Sequence, residues 1–131
     1  MKHKVGFTAS AFDLLHAGHI MMLEEAKSQC DYLVCALHVD PSIEREDKTK
    51  PLQSITERQI QLEAVKYVDR VIVYQTEYDL LQILKMFQVG VRIIGEEYRH
   101  TEFTGSDLNM EIYFNARRHD YSSSNLRGKL I

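Results

Sequence analysis

The residues most able to do chemistry stand near the amino terminus, in Phe12-Asp13-Leu14-Leu15-His16-Ala17-Gly18-His19. Two imidazoles three residues apart, with a glycine between them, can both turn toward one phosphate. If a helix begins there, its first amides are unpaired donors and its dipole favours an anion. Gly18 lets backbone and ligand approach closely. Donors fixed in this way can stabilise charge that develops on a phosphate during attack, each worth roughly 3–4 kcal/mol in a transition state. On spacing alone, one histidine could equally pack in a core while the other caps a helix. A metal site would need a third ligand, and only Asp13 is near, so that reading ranks below the anion site. Two further groups could bind phosphate. Lys48 and Lys50 lie in Asp47-Lys48-Thr49-Lys50-Pro51, where a lysine can act as a mobile point charge. Arg117 precedes Ser122, Ser123 and Ser124. A guanidinium can grip phosphate oxygens in pairs, and serines at a helix start can cradle a second anion. Three serines before a helix are also an ordinary cap and turn.

These groups must be held by elements, and the pattern alternates strand with helix. Val5 to Ala9 reads as a buried strand, and the residues from Gly18 to Gln29 carry helical spacing in Met22, Leu23 and Ala26. Tyr32 to His38 is a continuous apolar run, as in a strand covered on both faces. Asp40 to Gln53 is polar, holds Pro41 and Pro51, and is longer than an ordinary connection, which makes it a candidate lid. Ser54-Ile55-Thr56-Glu57 has capping-box spacing, so a helix is expected from there to about Tyr67. Val71–Tyr74 reads as a strand, Thr76–Phe87 as a helix with Leu80, Leu84 and Phe87 on one face, Val91–Gly95 as a strand, and Glu111–Ala116 as a fifth. Ser122 can cap a last helix over Ser123–Lys129. The expected fold is α/β: a Rossmann-like single domain over residues 1–131, with about five parallel strands and helices on both faces. Such sheets bind ligands beyond the carboxyl ends of their strands, where strand order reverses. The polar residues concentrate in the segments that follow the strands.

The bulk numbers narrow the class. With 131 residues and 44% hydrophobic content the chain can bury a core without disulfides. A net charge of −3 argues against a general nucleic-acid binder. Cys30 and Cys35 sit among apolar neighbours and read as buried reduced thiols. No apolar run reaches membrane-span length and no signal peptide is visible, so a soluble cytoplasmic protein with no membrane partner is expected.

With these residues in place, Phe12 to His19 resembles the H-x-G-H signature of the cytidylyltransferase-like nucleotidyltransferases, and within them the glycerol-3-phosphate cytidylyltransferase group. Glu25-Ala26-Lys27, Asp31-Tyr32-Leu33-Val34, Glu57-Arg58, Tyr67 to Ile72 and Ile94-Gly95-Glu96-Glu97 also fall where that family has similar stretches, so the resemblance runs over nearly the whole chain. It implies attack by a substrate phosphate oxygen on the α-phosphate of a nucleoside triphosphate, with release of pyrophosphate and no covalent enzyme intermediate. It further implies His16, His19, Arg117 and a loop lysine, Lys48 or Lys50, as catalytic groups. The implied nucleotide contacts are Ser10, Ala11, Phe12, His16, Gly18, His19, Gly95, Glu97, Arg117, Ser122 and Ser123. Asp13, Asp40 and Lys66 are expected to contact the phosphorylated substrate. No metal ligand is expected from the protein, but Mg2+ is expected with the triphosphate. The implied partners are CTP, or ATP, and a small phosphorylated substrate, with a homodimer as the assembly and cell-envelope precursor synthesis as the setting. A sugar phosphate or flavin mononucleotide paired with ATP is the alternative, and a nucleotide-binding module without catalysis the third reading.

Some residues depart from the family pattern. Ser10-Ala11 stand where the family has glycine and a small hydroxyl or thiol residue. Glu96-Glu97 replace paired aspartates. Arg117 to Ser124 resembles the family's second signature, R-T-x-G-x-S-T-T, with Arg118 and Asp120 in place of its threonine and glycine. These changes cluster at the ligand end, which points to unchanged chemistry with an altered base or acceptor.

Overall fold

The structure is a computed structural model that describes residues 4–115. Five strands form one parallel sheet: β1 (Val5–Ser10), β2 (Tyr32–His38), β3 (Arg70–Tyr74), β4 (Val91–Gly95) and β5 (Glu111–Asn115). Their order is β3-β2-β1-β4-β5. The chain winds outward from β1 to β3, then crosses back to lay β4 on the other side of β1. Strand order therefore reverses between β1 and β4, which opens a crevice there.

The reversal also decides which face each helix covers, because crossovers keep one hand. α1 (Ala17–Ser28) and α2 (Ile55–Glu63) cover one face, and α3 (Glu77–Met86) covers the other. β2 makes this visible residue by residue. Leu33, Cys35 and Leu37 join Leu23, Ala26 and Leu62 in one core, while Val34 and Ala36 join Leu80, Ile83 and Leu84 in the second. A strand buried on both faces has no polar side, which is why Tyr32–His38 shows no alternation. Cys35 is buried and Cys30 half-buried, and both are free thiols.

α2 begins as its capping box requires: Ser54 accepts the Glu57 amide at 3.1 Å and Glu57 accepts the Ser54 amide at 3.1 Å. It ends at Glu63, four residues before the expected Tyr67. Val65 must turn inward to reach the core, and the Asp69 carboxylate accepts the Leu33 amide at 2.7 Å and pairs with Lys27. A helix continued to Tyr67 would carry both away from these partners. The fifth strand is reached without an α-helix. A 3-10 turn, η1 (Glu96–Tyr98), and a series of turns fill the interval before β5. Among the described residues no helix is long and apolar enough to cross a membrane. The expected last helix, with Arg117, Ser122 and Ser123, lies outside the described residues.

Candidate active site

The carboxyl ends of β1 to β4 open into a cleft of about 1190 Å3. One wall is the turn from β1 into α1. Ser10, Ala11, Phe12, Asp13, His16, Gly18 and His19 all line it. Phe12 and Leu14 adopt left-handed backbone, with φ of 48° and 52°. Side chains in this region cost about 1–2 kcal/mol each, so the turn needs compensation. Phe12 supplies some by burying its ring in the core. Asp13 supplies more: one oxygen accepts the Leu52 amide at 2.8 Å and the other the Gln53 amide at 3.0 Å. The Leu14 amide in turn donates to Gln53 Oε1 at 2.8 Å. Asp13, expected to meet substrate, is thus only 5% exposed and ties the turn to the end of the long loop.

His16 is the N-cap of α1. Its Nδ1 accepts the Gly18 amide at 3.0 Å, and Nδ1 of His19 accepts the His16 amide at 3.2 Å. This is a capping box written with imidazoles in place of a hydroxyl and a carboxylate. It has a chemical consequence. Backbone donors occupy both Nδ1 atoms, so the neutral rings carry their protons on Nε2. The rings stand 4.1 Å apart, centroid to centroid. Burial first, and the neighbouring His16 second, lower the pKa of His19 to about 4, with Asp13 opposing them. At neutral pH His19 is therefore a neutral N–H donor. The rings offer Nε2–H donors and the positive end of the α1 dipole lies behind them, which suits an anion.

The long loop joins the site through Lys48. Lys48 lines the cleft and its Nζ donates to Tyr98 Oη at 3.3 Å, so the loop and η1 meet across the mouth. Lys50 is exposed and is not part of the cleft wall. Asp40 also stays outside it. Its Oδ1 accepts the Ser42 amide at 3.0 Å and the Ser42 hydroxyl at 2.5 Å, closing a turn at the loop's start. Lys66 departs furthest from expectation. It precedes β3, hence lies at the amino ends of the strands, exposed and with Nζ 5.2 Å from the Tyr67 ring centre. A residue entering a parallel strand stands at the wrong end of the sheet to reach the cleft. The paired glutamates divide. Glu96 makes a two-pronged pair with Arg99 at 2.6 and 2.7 Å, while Glu97 lines the cleft. A Cβ on Gly95 would meet the Glu97 carboxylate at 2.5 Å, so the absence of a side chain there lets Glu97 fold over the end of β4.

Two arginines outside the expected site residues are central. Arg58, 2% exposed, donates to four carbonyls: Ala11 at 3.0 Å, His38 at 2.6 Å, Val39 at 2.6 Å and Gln53 at 3.2 Å. It joins the ends of β1 and β2 to both ends of the loop. Its spacing to Leu62 placed it on the apolar stripe of α2, which was the available signal. Arg92 interrupts Val91-Arg92-Ile93-Ile94, a strand buried on both faces, and a charge in such a run is itself a signal. It is 5% exposed, lines the cleft, donates to the Thr104 carbonyl and lies 4.9 Å from the Phe103 ring centre.

Among the described residues no three His, Cys, Asp or Glu side chains cluster as a protein-built metal site. A reversed-order parallel sheet with an imidazole-capped helix at its switch point has the architecture of the doubly wound α/β folds, whose ligands bind in that crevice. The comparisons specify it. Residues 7–129 match the family model described as cytidylyltransferase-like, and the chain belongs to that family. It is 38% identical over 106 residues to the bifunctional protein HldE of Caulobacter sp. strain K31, and 35% identical over 112 residues to that of Wolinella succinogenes. These alignments cover 80% and 83% of this chain but only 22% and 23% of the relatives, so the chain spans about a fifth of their length. Two solved structures share the fold. One is a lipopolysaccharide core biosynthesis protein from Thermoplasma volcanium (TM-score 0.70, 23% identity, 92% of this chain and 100% of that one). The other is a pantoate-beta-alanine ligase from Francisella tularensis in complex with β-γ ATP and β-alanine (TM-score 0.67, 20% identity, 95% of this chain and 65% of that one).

Proposed function

We propose that the chain transfers a nucleotidyl group from a nucleoside triphosphate to the phosphate of a small hydroxylated substrate. The observation that carries this reading is the pair of imidazoles whose Nδ1 atoms are held by backbone amides at the start of α1. An acceptor phosphate oxygen attacks the α-phosphorus. The bond from that phosphorus to the bridging oxygen breaks, and pyrophosphate leaves with the electron pair. Nε2–H of His16 and of His19 stabilise the charge on the α-phosphate oxygens, with the dipole of α1 behind them. Lys48 neutralises the leaving pyrophosphate as the loop closes. Glu97 and the end of β4 face the nucleoside, and Arg117, Ser122 and Ser123 complete the triphosphate cradle. Catalysis is then positioning and charge stabilisation, with no covalent enzyme intermediate. His16, His19 and Lys48 bring imidazole and ammonium donors to the cleft, which fits a phosphate. Mg2+ arrives on the triphosphate and offsets part of its charge.

CTP with glycerol 3-phosphate is the pair supported by the resemblance of Phe12 to His19 and of the second signature. ATP with a sugar phosphate is favoured by a different observation, the similarity to bifunctional HldE proteins and the fold shared with a lipopolysaccharide core biosynthesis protein and an ATP-bound ligase. Pyrophosphate release, measured for CTP, ATP, UTP and GTP against a panel of phosphorylated alcohols and sugars, decides between them. Turnover that requires both a triphosphate and a phosphorylated acceptor is expected. No turnover with any pair would overturn the reading.

A further inference from the structure

The cleft has a second wall, on the α3 side of the sheet, that transfer chemistry leaves unused. It is built from His38, Tyr74, Glu77, Arg92, Phe103 and Thr104, all of which line the cleft. His38, Tyr74 and Arg92 are each about 95% buried. His38 stacks on Tyr74 with ring centroids 4.4 Å apart, and its Nε2 lies 3.1 Å from the Gln75 carbonyl, so the imidazole is fixed. Glu77 Oε2 accepts the Thr104 hydroxyl at 2.8 Å. Arg92 has five N–H donors and, among the described residues, makes one hydrogen bond and no ion pair. Burial pushes its pKa down, while Tyr74 and Glu77 are close enough to oppose this.

A guanidinium buried with most of its donors uncommitted is costly unless something in the cleft answers it. The geometry points to an acceptor subsite that reads adjacent hydroxyl groups. We therefore propose that Arg92 and Glu77 bind the hydroxylated body of a polyol or sugar phosphate, whose phosphate lies toward His16 and His19. This rests on the transfer reading above. The chemistry is specific. A hydroxyl can accept from a guanidinium and donate to a carboxylate at once, so neighbouring hydroxyls satisfy both residues. A cationic head group would face the buried Arg92 charge, and a deoxygenated one would leave the remaining Arg92 donors without acceptors. Phosphorylated amino alcohols are expected to bind more weakly than polyol phosphates on this ground.

Calorimetry on the full chain tests the subsite without needing turnover. The probes are a pyranose 1-phosphate, glycerol 3-phosphate and phosphoethanolamine, with CTP and ATP as controls. The variants are Glu77→Gln, Arg92→Lys and Arg92→Met. Glu77→Gln and Arg92→Met are expected to weaken the polyol phosphates roughly ten- to a hundredfold, with nucleotide affinity within about twofold of the parent. Phosphoethanolamine is expected to bind most weakly to the parent. Arg92 also holds the Phe103–Thr104 turn, so Arg92→Met could unfold it; Glu77→Gln and Arg92→Lys then carry the decision. Parental binding of polyol phosphates by Glu77→Gln and by whichever Arg92 variants fold overturns the proposal. So does an equal loss of nucleotide binding, or no polyol-phosphate binding by the parent. If pyrophosphate release proceeds in all variants with unchanged acceptor KM, only the subsite fails. If no substrate pair turns over, the transfer reading fails.

Discussion

In the proposed mechanism His16 and His19 do two jobs with the two nitrogens of each ring. Nδ1 caps the helix, and Nε2 is assigned to the transferring phosphate. The jobs separate by mutation. His16→Asn keeps a cap acceptor, and His16→Ala loses about 1 kcal/mol of capping. Both variants, and His19→Ala, should lower turnover about a hundredfold or more, while circular dichroism shows the fold intact. Near-parental rates in all three would remove the imidazoles from the mechanism. The buried neutral state of His19 can be read directly. In the free protein its ring should titrate near pH 4 by NMR, against an ordinary value of 6.5, chiefly because of burial. The unfolded chain binds this proton between those values and the folded chain does not. This group therefore makes stability fall as pH drops from about 6.5 to about 4. A midpoint near 6.5 would contradict the assigned environment. The histidines were legible in the sequence because their spacing around Gly18 is local. The anchoring role of Asp13 was not, since its partners Leu52 and Gln53 are about forty residues away in the chain.

Elements decide which of several plausible residues can act. The loop from β2 to α2 places Lys48 against Tyr98 and leaves Lys50 in solvent. Lys48→Ala should reduce kcat/KM by roughly tenfold or more, whereas Lys50→Ala should stay within about twofold; equal losses would contradict the placement. Arg58 is a positioning residue for the same loop. Arg58→Met removes donors from four carbonyls at the ends of β1, β2 and the loop, and should cost about 3 kcal/mol, read as a lower denaturant midpoint. An unchanged midpoint would show that the four bonds hold nothing. Most element boundaries were legible because caps and hydrophobic runs are written locally: Ser54 with Glu57, and Tyr32–His38. The end of α2 was not, because Val65 and Asp69 answer to the core and to Leu33. Lys66 was misplaced for a related reason. A linear reading puts it near a strand, but not at which end of the sheet.

At the scale of the molecule, a parallel sheet whose order reverses beside β1 explains why residues from β1, β2, β3 and β4 converge on one cleft. Strand-helix alternation made that architecture legible, since right-handed crossovers leave few alternatives. The second wall was hidden because His38, Tyr74, Glu77 and Arg92 come from three strands and a helix with no shared motif. The direction of transfer is the central claim, and an isotope decides it. The acceptor is supplied with 18O in its phosphate, beside the triphosphate that supports turnover, and the products are weighed by mass spectrometry. The account predicts that the label stays wholly in a nucleoside diphosphate-linked product and that pyrophosphate leaves unlabelled. Label in the released pyrophosphate, or release of orthophosphate in its place, would contradict it.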